Sequence, residues 1–224
     1  MPNPLTTVAI VPVKRLENAK QRLEPVMPAG YRRAFAEAMY SDVMIALRRA
    51  QQVDHVVVVT ADRAAARIAE GNDATVLDDT GESHSDGALI GLRWAHENEI
   101  PRALLVALDC PLLDPSELDE LITRRVPQNS ALIIPDRHGE GTNALLLSPP
   151  GAIVPSFGEG SCERHFQSAV ERGAEPEVVE VATLALDVDT PEDLRLLRER
   201  IEATRGGAAY TRGFLKQLDR SLGS

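Results

Sequence analysis

Two short acidic motifs carry the clearest chemical signal in this sequence. Asp109 comes directly after the apolar run "ALLVAL", and Asp187 and Asp189 stand in "LALDVDTPEDL". Alternate residues of a strand point to one face, so Asp187 and Asp189 are predicted to point the same way. Carboxylates from two strand ends suit a magnesium ion that bridges phosphate oxygens. The alternatives are that Asp109 caps a turn and that Asp189 shapes the turn before Pro191.

A cation-rich segment follows the first predicted strand. "KRLENAKQRL" places Lys14, Arg15, Lys20 and Arg22 within nine residues of an otherwise acidic chain. At the carboxyl end of a strand these cations could neutralise a triphosphate. The alternative is a solvated basic face. The segment matches neither a G-x-x-x-x-G-K-[ST] loop nor a G-x-G-x-x-G fingerprint, so it does not indicate those nucleotide folds.

Two glycine-containing stretches could bind a second anionic group. "DRHGEGTNALLL" supplies the hydroxyl of Thr142 and the amide of Asn143 at a bend between strands. "FGEGSCERH" places Gly158 and Ser161 just before a helix, where an N-terminus attracts anions, and Arg164 could add a charged contact. The alternatives are an ordinary hairpin turn and an ordinary N-cap at Ser161.

The elements that must position these residues alternate between strand and helix. This order predicts an α/β protein with a mostly parallel sheet, helices on both faces and ligands beyond the carboxyl ends of the strands. We expect one domain over residues 1–205 and a helical tail over 206–224. The predicted strands are 8–13, 56–60, 74–77, 103–108, 131–135, 144–147, 178–181 and 184–188. The predicted helices are 31–51, 63–70, 86–98, 115–126, 162–172, 191–205 and, within the tail, 214–222.

Composition limits the class of partner. The formal net charge of −10 argues against binding to nucleic acid or to an anionic membrane surface. Two scattered cysteines, Cys110 and Cys162, predict neither a disulfide framework nor a zinc site. The start of the chain lacks the basic region of a signal peptide, and no apolar run is long enough to span a bilayer. We therefore expect a cytoplasmic protein.

The motifs in their order resemble one known family. "VPVKRLENAKQRL", "ALDCPLLDP", "PDRHGEGTNALLL", "SFGEGSCERH" and "LDVDTPEDL" are similar to the CofC/FbiD family, over roughly residues 8–200. These are guanylyltransferases of coenzyme F-420 biosynthesis within the MobA-like nucleotidyltransferase group. The resemblance implies a Rossmann-like three-layer α/β/α fold. The tail after about residue 206 has no recognisable counterpart in this family.

The resemblance also implies a reaction. GTP and a phosphorylated three-carbon acid would give a guanosine-diphosphate-linked acid and pyrophosphate, with Mg²⁺ as cofactor. Phosphoenolpyruvate is the first choice of acceptor, and 2-phospho-L-lactate and 3-phospho-D-glycerate remain open. A homodimer is implied as well. By motif, Asp109 and Asp187 would hold the metal. Lys14, Lys20 and Arg22 would bind the triphosphate, and Thr142, Gly158 and Ser161 would bind the acceptor.

One position departs from the family pattern. Many members have a Leu-Asn pair at the guanine end of the site, whereas Asp86 in "SHSDGALIGL" stands at the matching place. An ionised Asp only accepts hydrogen bonds, and it could accept the N1–H and 2-amino donors of guanine. We therefore expect Asp86 to contribute to nucleotide binding.

Two other functions fit the same motifs. A related nucleotidyltransferase that acts on a sugar phosphate or a molybdopterin would keep the metal pair and change the acceptor pocket. A non-catalytic nucleotide-binding protein would use the tail helix for a partner and would release no pyrophosphate.

Overall fold

A seven-stranded sheet forms the centre of the chain. The structure is a computed structural model and describes residues 6–222. The strands lie in the order β3-β2-β1-β4-β6-β5-β7, and β6 alone runs antiparallel to its neighbours β4 and β5. The predicted mostly parallel sheet is thus confirmed. The strands are β1 (Thr7–Val13), β2 (His55–Thr60), β3 (Thr75–Leu77), β4 (Arg102–Val106), β5 (Ser130–Pro135), β6 (Thr142–Ser148) and β7 (Glu175–Val178).

Helices cover both faces of this sheet. Alternate residues of β1 point to opposite faces: Ala9 and Val11 join the cluster under α1, α2 and α4, and Val8 and Ile10 join the cluster under α3 and α5. The predicted three layers are therefore present. The helices are α1 (Ala29–Arg49), α2 (Arg63–Glu70), α3 (His84–Glu97), α4 (Pro115–Thr123), α5 (Ser161–Glu171), α6 (Pro191–Ala203) and α7 (Ala209–Leu222).

The C-terminal helix packs against the rest of the chain. α7 begins at Ala209, five residues before the predicted start. The Phe214 ring stacks on Phe35 of α1 with centroids 5.4 Å apart, and Leu215 and Leu218 are buried beside α6. The Asp42 carboxylate of α1 accepts the first N–H groups of α7. Burial of its apolar face and capping of its N-terminus hold the helix in place.

Two predicted strands near the end of the chain need correction. The strand expected at 178–181 lies at Glu175–Val178, and residues 184–188 form no strand. Leu184, Leu186 and Val188 are nonetheless fully buried. These three residues are therefore buried alternately in a segment that is not a strand. The carbonyl of Leu184 accepts a hydrogen bond from the side chain of Asn143 (2.8 Å) and not from a neighbouring strand.

The described residues, 6–222, contain no helix that is both long and apolar enough to cross a membrane.

Candidate active site

One large cavity lies at the carboxyl edge of the parallel strands. Its volume is about 1100 Å³. The loops after β1, β3 and β4 line one side. The β5–β6 bend reaches the same edge because β6 runs antiparallel and therefore begins there. The loop before α5 and residues 187–193 complete the wall. Segments far apart in the sequence thus meet where α/β folds bind their ligands.

The acidic residues predicted to hold a metal meet in this cavity around a lysine. The Lys20 ammonium lies 2.5 Å from Asp109 Oδ2 and 2.7 Å from Asp189 Oδ1. Asp109 lies three residues beyond β4, in a turn, and not directly after the strand as the predicted range 103–108 implied. Asp187 and Asp189 line the cavity although their segment is no strand. Lys20 is almost fully buried, and its side chain joins the β1 loop to both acidic segments.

The backbone of Lys20 indicates that this position is functionally constrained. Lys20 has φ 59° and ψ 37°, in the left-handed region. That conformation costs a residue with a Cβ on the order of 1 kcal/mol. The two ion pairs made by its ammonium offset this cost. Burial alone would lower the pKa of Lys20, but Asp109 and Asp189 outweigh it and raise the pKa well above its usual range.

The carboxyl groups of Asp109 and Asp187 differ in their proton affinity. Burial would raise the pKa of Asp109, but the Lys20 ammonium beside it lowers the pKa below its usual range. For Asp187, burial and the negative charge of Asp109 raise the pKa to about 6. A hydrogen bond of 3.2 Å from Asn143 Nδ2 lowers it by a smaller amount. Two carboxylates that repel each other in a buried site create a demand for a cation.

The other cations of the first loop reach different parts of the wall. The Lys14 ammonium lies 2.6 Å from Asp79 Oδ2 and donates to the carbonyl of Gly81 at 3.0 Å. Arg22 is exposed and lines the cavity. Asp79 was missed by sequence analysis. Its signal was the acidic pair "DD" directly after the third strand, where a parallel sheet brings side chains to the ligand edge.

Asp86 does not line the cavity. α3 begins at His84, two residues earlier than expected, so Asp86 is its third residue and forms a capping box with Ser83. The Asp86 Oδ2 atom accepts from the backbone N–H groups of Glu82 and Ser83. Gly81, Glu82 and His84 line the cavity at this end. The side chain of Asp86 thus supports the start of the helix, and its contact with the base stays a prediction.

The β5–β6 bend supplies two polar residues with different surroundings. Thr142 and Asn143 are buried and line the cavity. The Asn143 amide donates to the Leu184 carbonyl and to Asp187, so it braces the acidic segment. Thr142 instead bonds to the hydroxyl of Ser161 at 3.1 Å. Thr142 is therefore the better placed of the two to contact a ligand.

The loop before α5 has a backbone that requires glycine. Gly158 and Gly160 have φ of 109° and 68°, which residues with a Cβ rarely adopt. Two N–H groups at the start of α5 are already paired, Ser161 N with the Gly158 carbonyl and Cys162 N with the Glu140 carbonyl, both at 3.0 Å. These two groups are therefore engaged within the loop, and Ser161 is one of the residues that line the cavity.

Arg164 holds this loop from behind. Its guanidinium donates to the Ser156 hydroxyl (3.1 Å) and to the carbonyls of Ser156 (3.0 Å), Phe157 (3.3 Å) and Glu159. Arg164 does not line the cavity. The donors of Arg164 are engaged by the loop, which gives the residue a structural role, and its direct contact with a ligand stays a prediction.

The fold of this chain is that of known nucleotidyltransferases. A nucleotidyl transferase from Methanothermobacter thermautotrophicus has the same fold, with a TM-score of 0.63 and 18% identity over 89% of this chain and 99% of that one. The chain belongs to the family described as "Guanylyl transferase CofC like", whose sequence model matches residues 7–223. The match includes α7, whereas the motif resemblance covers only residues 8–200 or so.

Curated relatives match almost the whole chain. The phosphoenolpyruvate guanylyltransferase of Conexibacter woesei is 52% identical over 219 residues, which cover 97% of this chain and 98% of the relative. The 2-phospho-L-lactate guanylyltransferase of Methanothermobacter thermautotrophicus is 32% identical over 214 residues, covering 96% and 92%. The chain is thus an enzyme of the guanylyltransferase class, and its relatives differ in the acid that their names give.

Proposed function

We propose that this protein transfers GMP from GTP to the phosphate of a three-carbon phospho-acid and releases pyrophosphate, with phosphoenolpyruvate as the first-choice acceptor. The observation that carries the proposal is the single cavity in which a cationic loop, a carboxylate pair and a buried hydroxyl pair meet. Two phosphorylated substrates need cations and hydrogen-bond donors, and these groups supply both in one cavity.

The carboxylates fit a divalent cation. Among residues 6–222, no three His, Cys, Asp or Glu side chains are grouped to hold a metal by themselves. Mg²⁺ commonly uses one or two carboxylates and completes its shell with water and substrate phosphates, which matches Asp109 and Asp187. When bound, Mg²⁺ would neutralise phosphate charge. Burial and the negative charge of Asp109 raise the pKa of Asp187, and a cation beside both carboxylates would relieve this unfavourable arrangement.

The remaining groups position the substrates. Lys14, Lys20 and Arg22 bind the triphosphate and stabilise the departing pyrophosphate. Thr142, Gly158 and Ser161 form the acceptor end. The acceptor phosphate is already largely ionised near neutral pH, so its oxygen attacks the α-phosphorus without a general base. In-line positioning and charge neutralisation therefore carry the reaction.

The choice of acceptor follows the relatives. Phosphoenolpyruvate is favoured because a relative of that name shares 52% of its residues over nearly the full chain. 2-Phospho-L-lactate and 3-phospho-D-glycerate differ from it by a few atoms, so one polar contact can decide between them. A role in coenzyme F-420 biosynthesis, a cytoplasmic location and a homodimer belong to the same proposal.

Pyrophosphate release tests the reaction directly. We expect release with GTP, Mg²⁺ and phosphoenolpyruvate, and at least tenfold lower kcat/KM with 2-phospho-L-lactate and 3-phospho-D-glycerate. ATP and CTP in place of GTP test the base. Release with another of the three acids would reassign the acceptor. No release with any of them would contradict the proposal and favour a different acceptor or a binding protein.

Arg164→Lys should weaken the acceptor end of the site. A lysine has one nitrogen where Arg164 has three, so it cannot hold Ser156, Phe157 and Glu159 together. We expect the KM for the acceptor to rise about tenfold, equivalent to about 1.4 kcal/mol, with the KM for GTP nearly unchanged. The measurement is a pair of saturation curves, one for each substrate.

Arg172→Lys is the matched control for this change. Arg172 lies at the other end of α5, is exposed and donates to the Gly151 carbonyl at 3.4 Å. Its substitution should leave both KM values unchanged. An Arg164→Lys enzyme whose KM values both match the wild type would show that the guanidinium does not shape the acceptor pocket.

A further inference from the structure

A buried chain of hydrogen bonds joins His165 to the cavity wall. His165 lies on α5 and is completely buried. Its Nδ1 atom lies 3.0 Å from Thr142 Oγ1, and Thr142 Oγ1 lies 3.1 Å from Ser161 Oγ. On the other side of the ring, the backbone N–H of Ser156 donates to Nε2 at 2.8 Å. His165 itself does not line the cavity, whereas Thr142 and Ser161 do.

The contact with Ser156 fixes the tautomer of the ring. A backbone N–H can only donate, so Nε2 must accept and carries no hydrogen. A neutral imidazole then has its hydrogen on Nδ1, which donates to Thr142 Oγ1. Burial, with a smaller effect from the charge of Arg164, lowers the pKa of His165 to about 4, so the ring is neutral near pH 7.

Counting hydrogens shows what this tautomer does. The hydrogen bond between His165 and Thr142 uses the hydrogen of Nδ1 and no hydroxyl hydrogen. Only the hydrogen bond between Thr142 and Ser161 therefore uses a hydroxyl hydrogen. The two residues have two such hydrogens, and one contact uses one of them. Within residues 6–222 the other has no acceptor, whichever hydroxyl carries it. That hydroxyl can therefore donate to a ligand in the cavity.

We propose that His165 is a positioning residue that keeps one hydroxyl hydrogen of the Thr142–Ser161 pair available to an anionic oxygen of the acceptor acid. This inference rests on the proposed function and names the group that prepares its acceptor pocket. With the opposite tautomer, Nδ1 would accept from Thr142, and the Thr142–Ser161 contact would use the hydroxyl hydrogen that remains. The pair would then offer lone pairs to an anion, and the acceptor would be repelled.

Two substitutions separate the two sides of the ring. His165→Gln places its amide near the Nε2 position, where it can accept from Ser156, and leaves no donor at the Nδ1 position. His165→Asn places its amide nitrogen near the Nδ1 position and keeps the donor to Thr142. We expect His165→Gln to lower kcat/KM for phosphoenolpyruvate about tenfold through KM, His165→Asn to lie within about threefold of the wild type, and KM for GTP to change in neither.

A double-mutant cycle tests whether His165 acts through Thr142. Thr142→Val removes the hydroxyl, so in that background His165→Gln should cause no further loss of kcat/KM. Thermal unfolding identifies variants that fail to fold. Equal losses in His165→Gln and His165→Asn, equal effects on both KM values, or additive losses in the cycle would overturn the inference.

The tautomer is measured independently of catalysis. Ring ¹⁵N shifts of the wild type, assigned with His165→Gln, should show hydrogen on Nδ1 and none on Nε2. Hydrogen on Nε2 would overturn the inference and leave the proposed function standing. If the wild type releases no pyrophosphate with any of the three acids, the proposed function fails. Calorimetric binding of phosphoenolpyruvate then decides the inference, and equal affinity for wild type and His165→Gln overturns it.

Discussion

Asp109→Asn should lower kcat for guanylyl transfer by about 10²–10³-fold, with the fold intact. The substitution keeps the shape of the side chain and removes the charge that faces Lys20 and Asp187. Loss of one electrostatic contact to a transition state of this kind has an effect of this size. Steady-state kinetics measured over a range of Mg²⁺ concentrations should also show weaker activation by the metal.

The stability of this variant should change little. Lys20 keeps its ion pair with Asp189 at 2.7 Å, so the buried ammonium is not left alone. Asp73→Asn is the control, because Asp73 is exposed and has φ 61°, a conformation that Asn also adopts. Its turnover should equal that of the wild type. Turnover within threefold of the wild type in Asp109→Asn would remove Asp109 from the metal site.

Lys20→Met should lower turnover, and it should lower the stability of the protein in the absence of metal. The ammonium of Lys20 stands between Asp109 and Asp189, close to the place where Asp109 and Asp187 would hold a metal. Without it, clustered carboxylates face each other and the triphosphate loses one cation. We expect kcat/KM for GTP to fall about 10²-fold. Without metal, the free energy of unfolding should fall by on the order of 2 kcal/mol, less than for a closed buried pair because Asp189 is 44% exposed.

Magnesium should partly compensate for this loss. A bound cation replaces the missing positive charge, and a ligand that binds only the folded state stabilises it. Thermal unfolding with and without Mg²⁺ should therefore show a larger upward shift of Tm in Lys20→Met than in the wild type. Lys216→Met, the same change at an exposed position of α7, should behave as the wild type does in every assay. Equal magnesium shifts in Lys20→Met and the wild type would contradict a shared position for the ammonium and the metal.

Much of the fold followed from local sequence patterns. The alternation of apolar runs and amphipathic segments predicted six of the seven strands within two residues, placed the seventh three residues too late, and gave the mostly parallel sheet with helices on both faces. α6 begins at Pro191, as predicted, after a capping box formed by Thr190 and Asp193. Such elements depend on neighbours in the sequence, so a single sequence contains their signals.

The strand predicted at 184–188 failed for a physical reason. Leu184, Leu186 and Val188 alternate with polar residues, as a half-buried strand would. Whether such a segment joins a sheet depends on a free strand edge beside it. Here the carbonyl of Leu184 accepts a hydrogen bond from the side chain of Asn143 instead of from a strand. That competition involves residues some forty positions apart, and periodicity does not report it.

The sequence by itself determined which residue types could handle phosphate: a cationic loop, separated aspartates and small polar residues before α5. Only the tertiary structure decided which of them share a cavity. It brought Lys20 between Asp109 and Asp189, and it placed Asp86 and Arg164 in hydrogen bonds that hold the wall from outside. A side chain's partners are set by long-range packing, because the groups that compete for it come from segments that meet only in the folded chain.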